Sequence, residues 1–376
     1  MVKLDSKIEA KLETVAAGAV AANAEGVDRD ATFPKAAMDA IAAAGLYGLI
    51  SAREVGGLGQ GPGASALAVL RVARECGSTG MVLAMHYAGT AVIEKYGAEA
   101  VRRNVASGRH LSTLAFSEAG SRSHFWAPTS TAKPVGGRVQ LDAEKSWITS
   151  AGQATAYVWS SRPVKADGAS TLWLVPAQAD GLEMPRPYNG LGLRGNDSRP
   201  VTADKVTIAE TQRLGDDGEG FAIMMGTVLP YFNLMNAAFS VGLMEAATAR
   251  TAAHASGSRY AHMDSSLADL PTIRAYVARM RVRTDMTRAL LDDAIDAVEG
   301  GRADAMLRVL ECKAAAGESA LEVLGTAMRV CGGAAFRKDV GVERYFRDAQ
   351  AANVMAPTTD QLYDFIGKAA CGLPLF

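Results

Sequence analysis

The chain predicts a mostly α-helical protein with a central β-domain, and three observations carry that expectation. From about residue 5 to 110, apolar residues recur at helical spacing. Between His110 and Gly220 they give way to short β-branched and aromatic runs separated by Gly, Asp and Pro. Beyond Gly220 the helical period returns in long stretches. The boundaries read as an N-terminal helical domain over 1–110, a middle β-domain over 111–220 and a C-terminal helical bundle over 221–376.

In the first region the period is visible in Met38-Ile41-Ala42 and in Leu67-Val69-Leu70-Ala73. Its one long interruption, Gly56-Gly57-Leu58-Gly59-Gln60-Gly61-Pro62-Gly63, has neither a preceding strand nor a following Lys-Ser/Thr. It therefore reads as a loop between helices rather than a phosphate cradle. The middle region carries four candidate strands, Arg138 to Asp142, Ala156 to Ser160, Thr171 to Val175 and Lys205 to Ile208. The last region carries helices over Met224 to His254, Pro271 to Val298 and Ala303 to Val330. Alanine is frequent in all of them, which favours helix formation and close packing but carries no chemistry.

The 376 residues include 39 basic and 40 acidic side chains, a formal net charge of -1. That balance gives no electrostatic case for nucleic acid or an anionic membrane, and small molecules are the expected partners. Cys76, Cys312, Cys331 and Cys371 are far apart and form no C-x-x-C pair, so buried thiols are expected rather than a disulfide framework or a metal site. With no charged-then-apolar leader and no long apolar run, the expected compartment is the cytoplasm.

Several separated patches share one pattern. Glu343-Arg344-Tyr345-Phe346-Arg347-Asp348-Ala349, followed by Ala356-Pro357-Thr358, resembles the C-terminal signature of the acyl-CoA dehydrogenase family, R-x-x-R-D-A-R and then E-G-T. Leu114-Ala115-Phe116-Ser117-Glu118-Ala119-Gly120-Ser121 resembles that family's T-E-P-x-A-G-S-D segment, shortened by about two residues. Gly137 to Ser150 resembles G-x-Y-x-L-N-G-x-K-x-W-I-T-N. Gly190-Leu191-Gly192-Leu193-Arg194-Gly195 is similar to the loop closing the β-domain, and Cys331-Gly332-Gly333-Ala334-Ala335-Phe336 to the G-G-x-G-F turn. The resemblance implies a small β-barrel-like domain between the N-terminal helices and a C-terminal four-helix bundle. It also implies bound FAD and a homodimer or homotetramer, with an electron acceptor flavoprotein or a reductase as a further partner.

By the same resemblance, Trp147 packs against the flavin ring and Thr149 hydrogen-bonds its edge. A flavin needs one flat apolar wall and a few donors, and this pair supplies both. Leu114, Phe116 and Ser117 meet the pyrimidine side, Ser121 lies near the pyrophosphate, and Thr358 and Asp360 contact the cofactor. Gly332 and Gly333 approach the FAD of a neighbouring subunit. Arg259, in Arg259-Tyr260-Ala261-His262-Met263-Asp264, stands about one residue out of register for the arginine that meets the pyrophosphate across the interface, and Met328 replaces a polar contact.

The catalytic carboxylate of E-G-T is Ala356 here, and alanine can neither take nor give a proton. An earlier helix supplies the carboxylate in some relatives, but counting back from Val241-Gly242-Leu243-Met244 places Phe232 there, flanked by Pro230, Tyr231 and Asn233. The remaining candidates for a base are Glu118, His86 and Asp264. Glu118 and Asp360 also read as structural partners of backbone donors or arginines, and His86 as a satisfied core histidine. His124-Phe125-Trp126 falls in the altered loop over the flavin. Three functions follow: α,β-dehydrogenation of an acyl thioester with an unassigned base, a flavin-dependent monooxygenation using reduced flavin and oxygen, or a catalytically silent flavoprotein that acts as a binding protein.

Overall fold

The computed structural model describes residues 4–122 and 124–374. Helices α1 (Ser6–Val15) and α2 (Ala21–Asp30) run into each other through a π-helical turn, Ala16–Val20. They are followed by α3 (Lys35–Ala43), α4 (Pro62–Ala73), α5 (Gly77–Tyr96) and α6 (Glu99–Ala106). Almost every residue of α5 up to Ile93 is buried, as expected of a helix apolar all round its circumference. It packs between α4, α8 (Leu229–Gly257) and the first β-strand.

The middle region forms two four-stranded sheets. One has the order β1-β4-β5-β8, from β1 (Ser112–Ala115), β4 (Ala156–Ser161), β5 (Thr171–Pro176) and β8 (Arg213–Leu214), with β1 parallel to β4. The other has the order β2-β3-β7-β6, from β2 (Thr131–Val135), β3 (Arg138–Ile148), β7 (Arg199–Ala209) and β6 (Leu182–Glu183), all antiparallel. The expected small β-domain is thus built from two packed sheets. Side chains alternate along β4 and β5: Tyr157, Trp159, Trp173 and Val175 share a core with Leu141, Val201 and Val206 of the second sheet, whereas Val158, Leu172 and Leu174 join the helical core. Burial on both faces explains why these strands read as near-continuous apolar runs. The short β1, β2 and β6 carry too little pattern to be seen in the sequence.

Helix returns with α7 (Gly220–Ile223), a π-helical turn at Met224–Val228 and then α8. Pro230 has no N–H to donate, which suits it to the start of α8 just beyond the widened turn. α9 (Pro271–Glu299) and α10 (Ala305–Cys331) pack against α8, and α11 (Val342–Val354) and α12 (Thr359–Ala370) lie against α10. Against the expectation of no long apolar run, the segment Gly220–Gly257 is long and apolar enough to cross a bilayer by length and composition, and 67% of its most apolar window is buried inside the fold.

α11 ties the three regions together. Arg344 and the Tyr345 hydroxyl donate to the carbonyls of Glu75 and Arg74 at 3.0 and 2.8 Å, Arg347 pairs with Asp28, and a carboxylate oxygen of Asp348 accepts from Leu193 N at 2.6 Å. The R-x-x-R-D-A segment is thus a set of contacts between domains.

Candidate active site

A cavity of about 990 Å³ opens where these regions meet. One wall comes from the β-domain. The β3–β7 ladder pairs Lys145 with Val201 and then Ile148 with Arg199, so β3 carries one extra residue. Such a bulge re-aims side chains. Trp147 sits in it with φ +59° and is 71% exposed despite its size. A large aromatic held in this uncommon conformation and left facing a cavity has no packing reason within the chain alone. Thr149 lines the same wall, its backbone carbonyl fixed by the Thr113 hydroxyl at 2.8 Å.

Opposite stand Met85 of α5, Val228, Leu229 and Phe232 at the start of α8, and the segment Val354, Met355 and Ala356 after α11. Both positions at which a carboxylate is expected by resemblance, Ala356 and Phe232, therefore face the cavity. Thr358 lines it too and caps α12 through its hydroxyl.

The only carboxylate among the described lining residues is Glu118, and it is fully engaged. It forms a buried pair with Lys145 at 2.6 Å, the two side chains 1% and 0% exposed. It also accepts from Thr129 N, the Thr129 hydroxyl, Ser130 N and the Ser130 hydroxyl. Burial pushes its pKa up, but the Lys145 charge and these donors outweigh that and hold it below the ordinary carboxylate value. Burial in turn draws the Lys145 ammonium down to about 8 against the pull of Glu118. The pair fastens both ends of the loop 119–129, which carries Phe125 into the cavity, stacked parallel to Phe116 at 6.4 Å.

The other candidates for a base lie elsewhere. His86 is buried, its Nδ1 accepting from Ser112 N and its Nε2 donating to Tyr47 O, both at 3.1 Å. With both nitrogens committed and burial lowering its pKa to about 3, it is a core histidine. Asp264 is on the exposed surface, paired with Arg259. Neither lines the cavity.

Of the residues expected at a flavin, Leu114, Phe116, Ser117, Trp147, Thr149 and Thr358 are brought to one cavity. Ser121 is not on its wall, but its hydroxyl oxygen is buried with no partner among the described residues, as is that of Ser150 beside Thr149. Arg259, Gly332, Gly333 and Asp360 stand apart from it. Gly332 has φ +55° and ψ -135°, a conformation open to glycine, and a side chain there or at Gly333 would meet nothing within 4 Å. The exposed indole and Thr149 on the same wall form a site that fits a flat, polar-edged group such as FAD.

Sequence reading did not find Lys313. Almost wholly buried on α10, its ammonium donates to the carbonyls of Pro357 at 2.7 Å, Met355 at 3.0 Å and Ala352 at 3.4 Å, and so shapes the turn that presents Ala356. Its signal was a lone lysine in the apolar run Cys312-Lys313-Ala314-Ala315-Ala316, which alanine abundance concealed.

Three family models match the chain in succession: the acyl-CoA dehydrogenase N-terminal domain over residues 5–108, the middle domain over 113–206 and the C-terminal domain over 218–371. The chain is 27% identical over 349 residues to a probable acyl-CoA dehydrogenase, YngJ, of Bacillus subtilis, covering 91% of each. It superimposes on butyryl-CoA dehydrogenase from Megasphaera elsdenii with a TM-score of 0.91 at 19% identity, over 99% of this chain and 100% of that one. For the FAD complex of PigA the TM-score is 0.89 at 18% identity, over 99% of each chain. At those identities the structural likenesses speak for the fold.

Proposed function

The chain belongs to the acyl-CoA dehydrogenase family, and on that premise we propose that it is an FAD-dependent oxidoreductase acting on CH–CH bonds, with α,β-dehydrogenation of an acyl thioester as its reaction. One observation carries the reading: the bulge in β3 sets Trp147 beside Thr149 on the wall of a large cavity whose opposite side is apolar. Bound FAD supplies a two-electron acceptor for the hydride that leaves the β-carbon. Trp147 would form the flat wall for its ring and Thr149 the donor to its edge. The backbone at Leu114, Phe116 and Ser117 would meet the pyrimidine side, and Ser121 the pyrophosphate. Met85, Phe125, Phe232 and Met355 exclude water and suit an uncharged acyl chain.

Removal of the α-proton needs an acceptor, and Glu118 is occupied by five donors. That specific observation, with Ala356 and Phe232 on the wall, supports a second reading, a monooxygenase of the same fold using reduced flavin and oxygen, for which no carboxylate is required. An electron-transferring flavoprotein fits the first reading as acceptor, and a partner reductase the second. Homodimer or homotetramer formation is supported by the exposed Val282, Met286 and Phe336, the last 82% accessible beside Gly332-Gly333.

Anaerobic mixing of the yellow protein with a panel of acyl-CoAs tests the proposal. Bleaching of the flavin absorbance by at least one thioester is expected. Oxygen consumption by the reduced protein without any bleaching would favour the second reading, and a colourless protein that takes up no added FAD would end both.

A further inference from the structure

Among the described residues, three charged side chains line the cavity: Glu118, Arg122 and Arg347. Glu118 is bound to Lys145, and Arg347 is held by Asp28 and Glu343. Arg122 has no ion pair or side-chain hydrogen bond with any described residue. It is exposed where it lines the cavity, with φ +48° in the left-handed region. The turn is fixed from below, since Arg122 N donates to Glu118 O at 3.1 Å and the Glu118–Lys145 pair anchors the loop's two ends. Beside it the Ser121 hydroxyl is buried with no partner among the described residues. The motif this segment resembles has an aspartate after A-G-S, so Arg122 reverses the charge at that point.

We propose that Arg122 recognises a phosphate at the cavity it lines. A guanidinium that no carboxylate among the described residues neutralises offers directed donors to a tetrahedral anion. Among the described lining residues the other cation, Arg347, is held by Asp28 and Glu343, so Arg122 is the one that can meet an anion. Two sources supply such a phosphate: the thioester's carrier and the pyrophosphate of the flavin dinucleotide. The proposal rests on the functional reading above.

The test compares wild-type holoprotein with Arg122→Gln and Arg122→Lys. Binding of a non-oxidisable acyl-CoA thioether, and of the same acyl group on N-acetylcysteamine, which has no phosphate, is followed by the shift in flavin absorbance. FAD affinity is measured in parallel by reconstituting each apoprotein. If the carrier phosphate is read, Arg122→Gln weakens the acyl-CoA analogue about tenfold, leaves the N-acetylcysteamine analogue unchanged, and is partly rescued by Arg122→Lys. The gap between wild type and variant then narrows as salt rises from about 0.05 to about 0.5 M. If the flavin's pyrophosphate is read, FAD affinity falls by a similar factor and both analogues bind as before. Unchanged affinity for all three ligands, or equal weakening of both analogues with FAD unaffected, overturns the proposal. A wild type whose flavin responds to neither analogue would instead overturn the thioester reading, while FAD affinity still reports on Arg122.

Discussion

Replacing either member of the Glu118–Lys145 pair separates a structural from a catalytic role for the only carboxylate among the described residues of the cavity wall. The two side chains are 1% and 0% exposed and 2.6 Å apart, and the Lys145 ammonium also donates to Ser160 O at 2.8 Å and the Ser160 hydroxyl at 3.0 Å. Lys145→Met leaves Glu118 charged and buried with only its backbone and hydroxyl donors; Glu118→Gln leaves the ammonium buried without a counter-charge. Breaking a buried pair from one side costs about 3–5 kcal/mol, so each variant should lower the unfolding free energy by that amount. The double variant should be less destabilised than the sum of the two, by about 2 kcal/mol, because the second change removes the group that the first left stranded. Urea unfolding followed by tryptophan fluorescence is a suitable assay, since Lys145 lies 5.1 Å from the ring centroid of Trp159 in the same core. A catalytic base would behave differently: Glu118→Gln would then cut turnover about 10²- to 10⁴-fold with little change in stability, and Lys145→Met would not mimic it. Single variants that cost under about 1 kcal/mol, or strict additivity in the double variant, would refute the reasoning.

Thr149→Val keeps the shape of the cavity wall but removes its hydroxyl, and should weaken FAD binding by about 1–3 kcal/mol in apoprotein titrations; unchanged affinity would remove Thr149 from the cofactor site. His86 has a folded pKa of about 3, below its ordinary 6.5, so the unfolded chain binds the extra proton between these values and stability falls as pH drops through that window. His86→Gln retains a donor for Tyr47 O and an acceptor for Ser112 N without titrating, so denaturation curves should show wild type losing about 3 kcal/mol more than the variant between pH 6.5 and 4; parallel pH profiles would contradict this. Ala356→Glu, with Pro357→Gly, places a carboxylate on the cavity wall and should create or raise flavin bleaching by acyl-CoA relative to wild type. Efficient bleaching by wild type and its loss in the variant would show that another proton acceptor already operates.

Much of this architecture was legible because it depends on local pattern. The helices α8 to α10 announce themselves by a long apolar period, and β4 and β5 by β-branched and aromatic runs, since each buries a face whose spacing is set by the backbone itself. The absence of a carboxylate at Ala356 and Phe232 could also be read residue by residue, because side-chain chemistry does not depend on the fold. What the sequence could not decide is which ionisable groups are spent on one another. Glu118 and Lys145 are 27 residues apart and pair only because a bulged strand returns beneath the 119–129 loop. His86 loses its chemistry to two backbone groups, from Tyr47 and Ser112, that tertiary packing brings to its ring. Lys313 reaches the turn at Ala356 from another helix, and Arg122 is available to a ligand only because no described neighbour carries an acid to it. Availability of a charge is a property of the distances among groups remote in sequence, and the tertiary structure alone sets those distances.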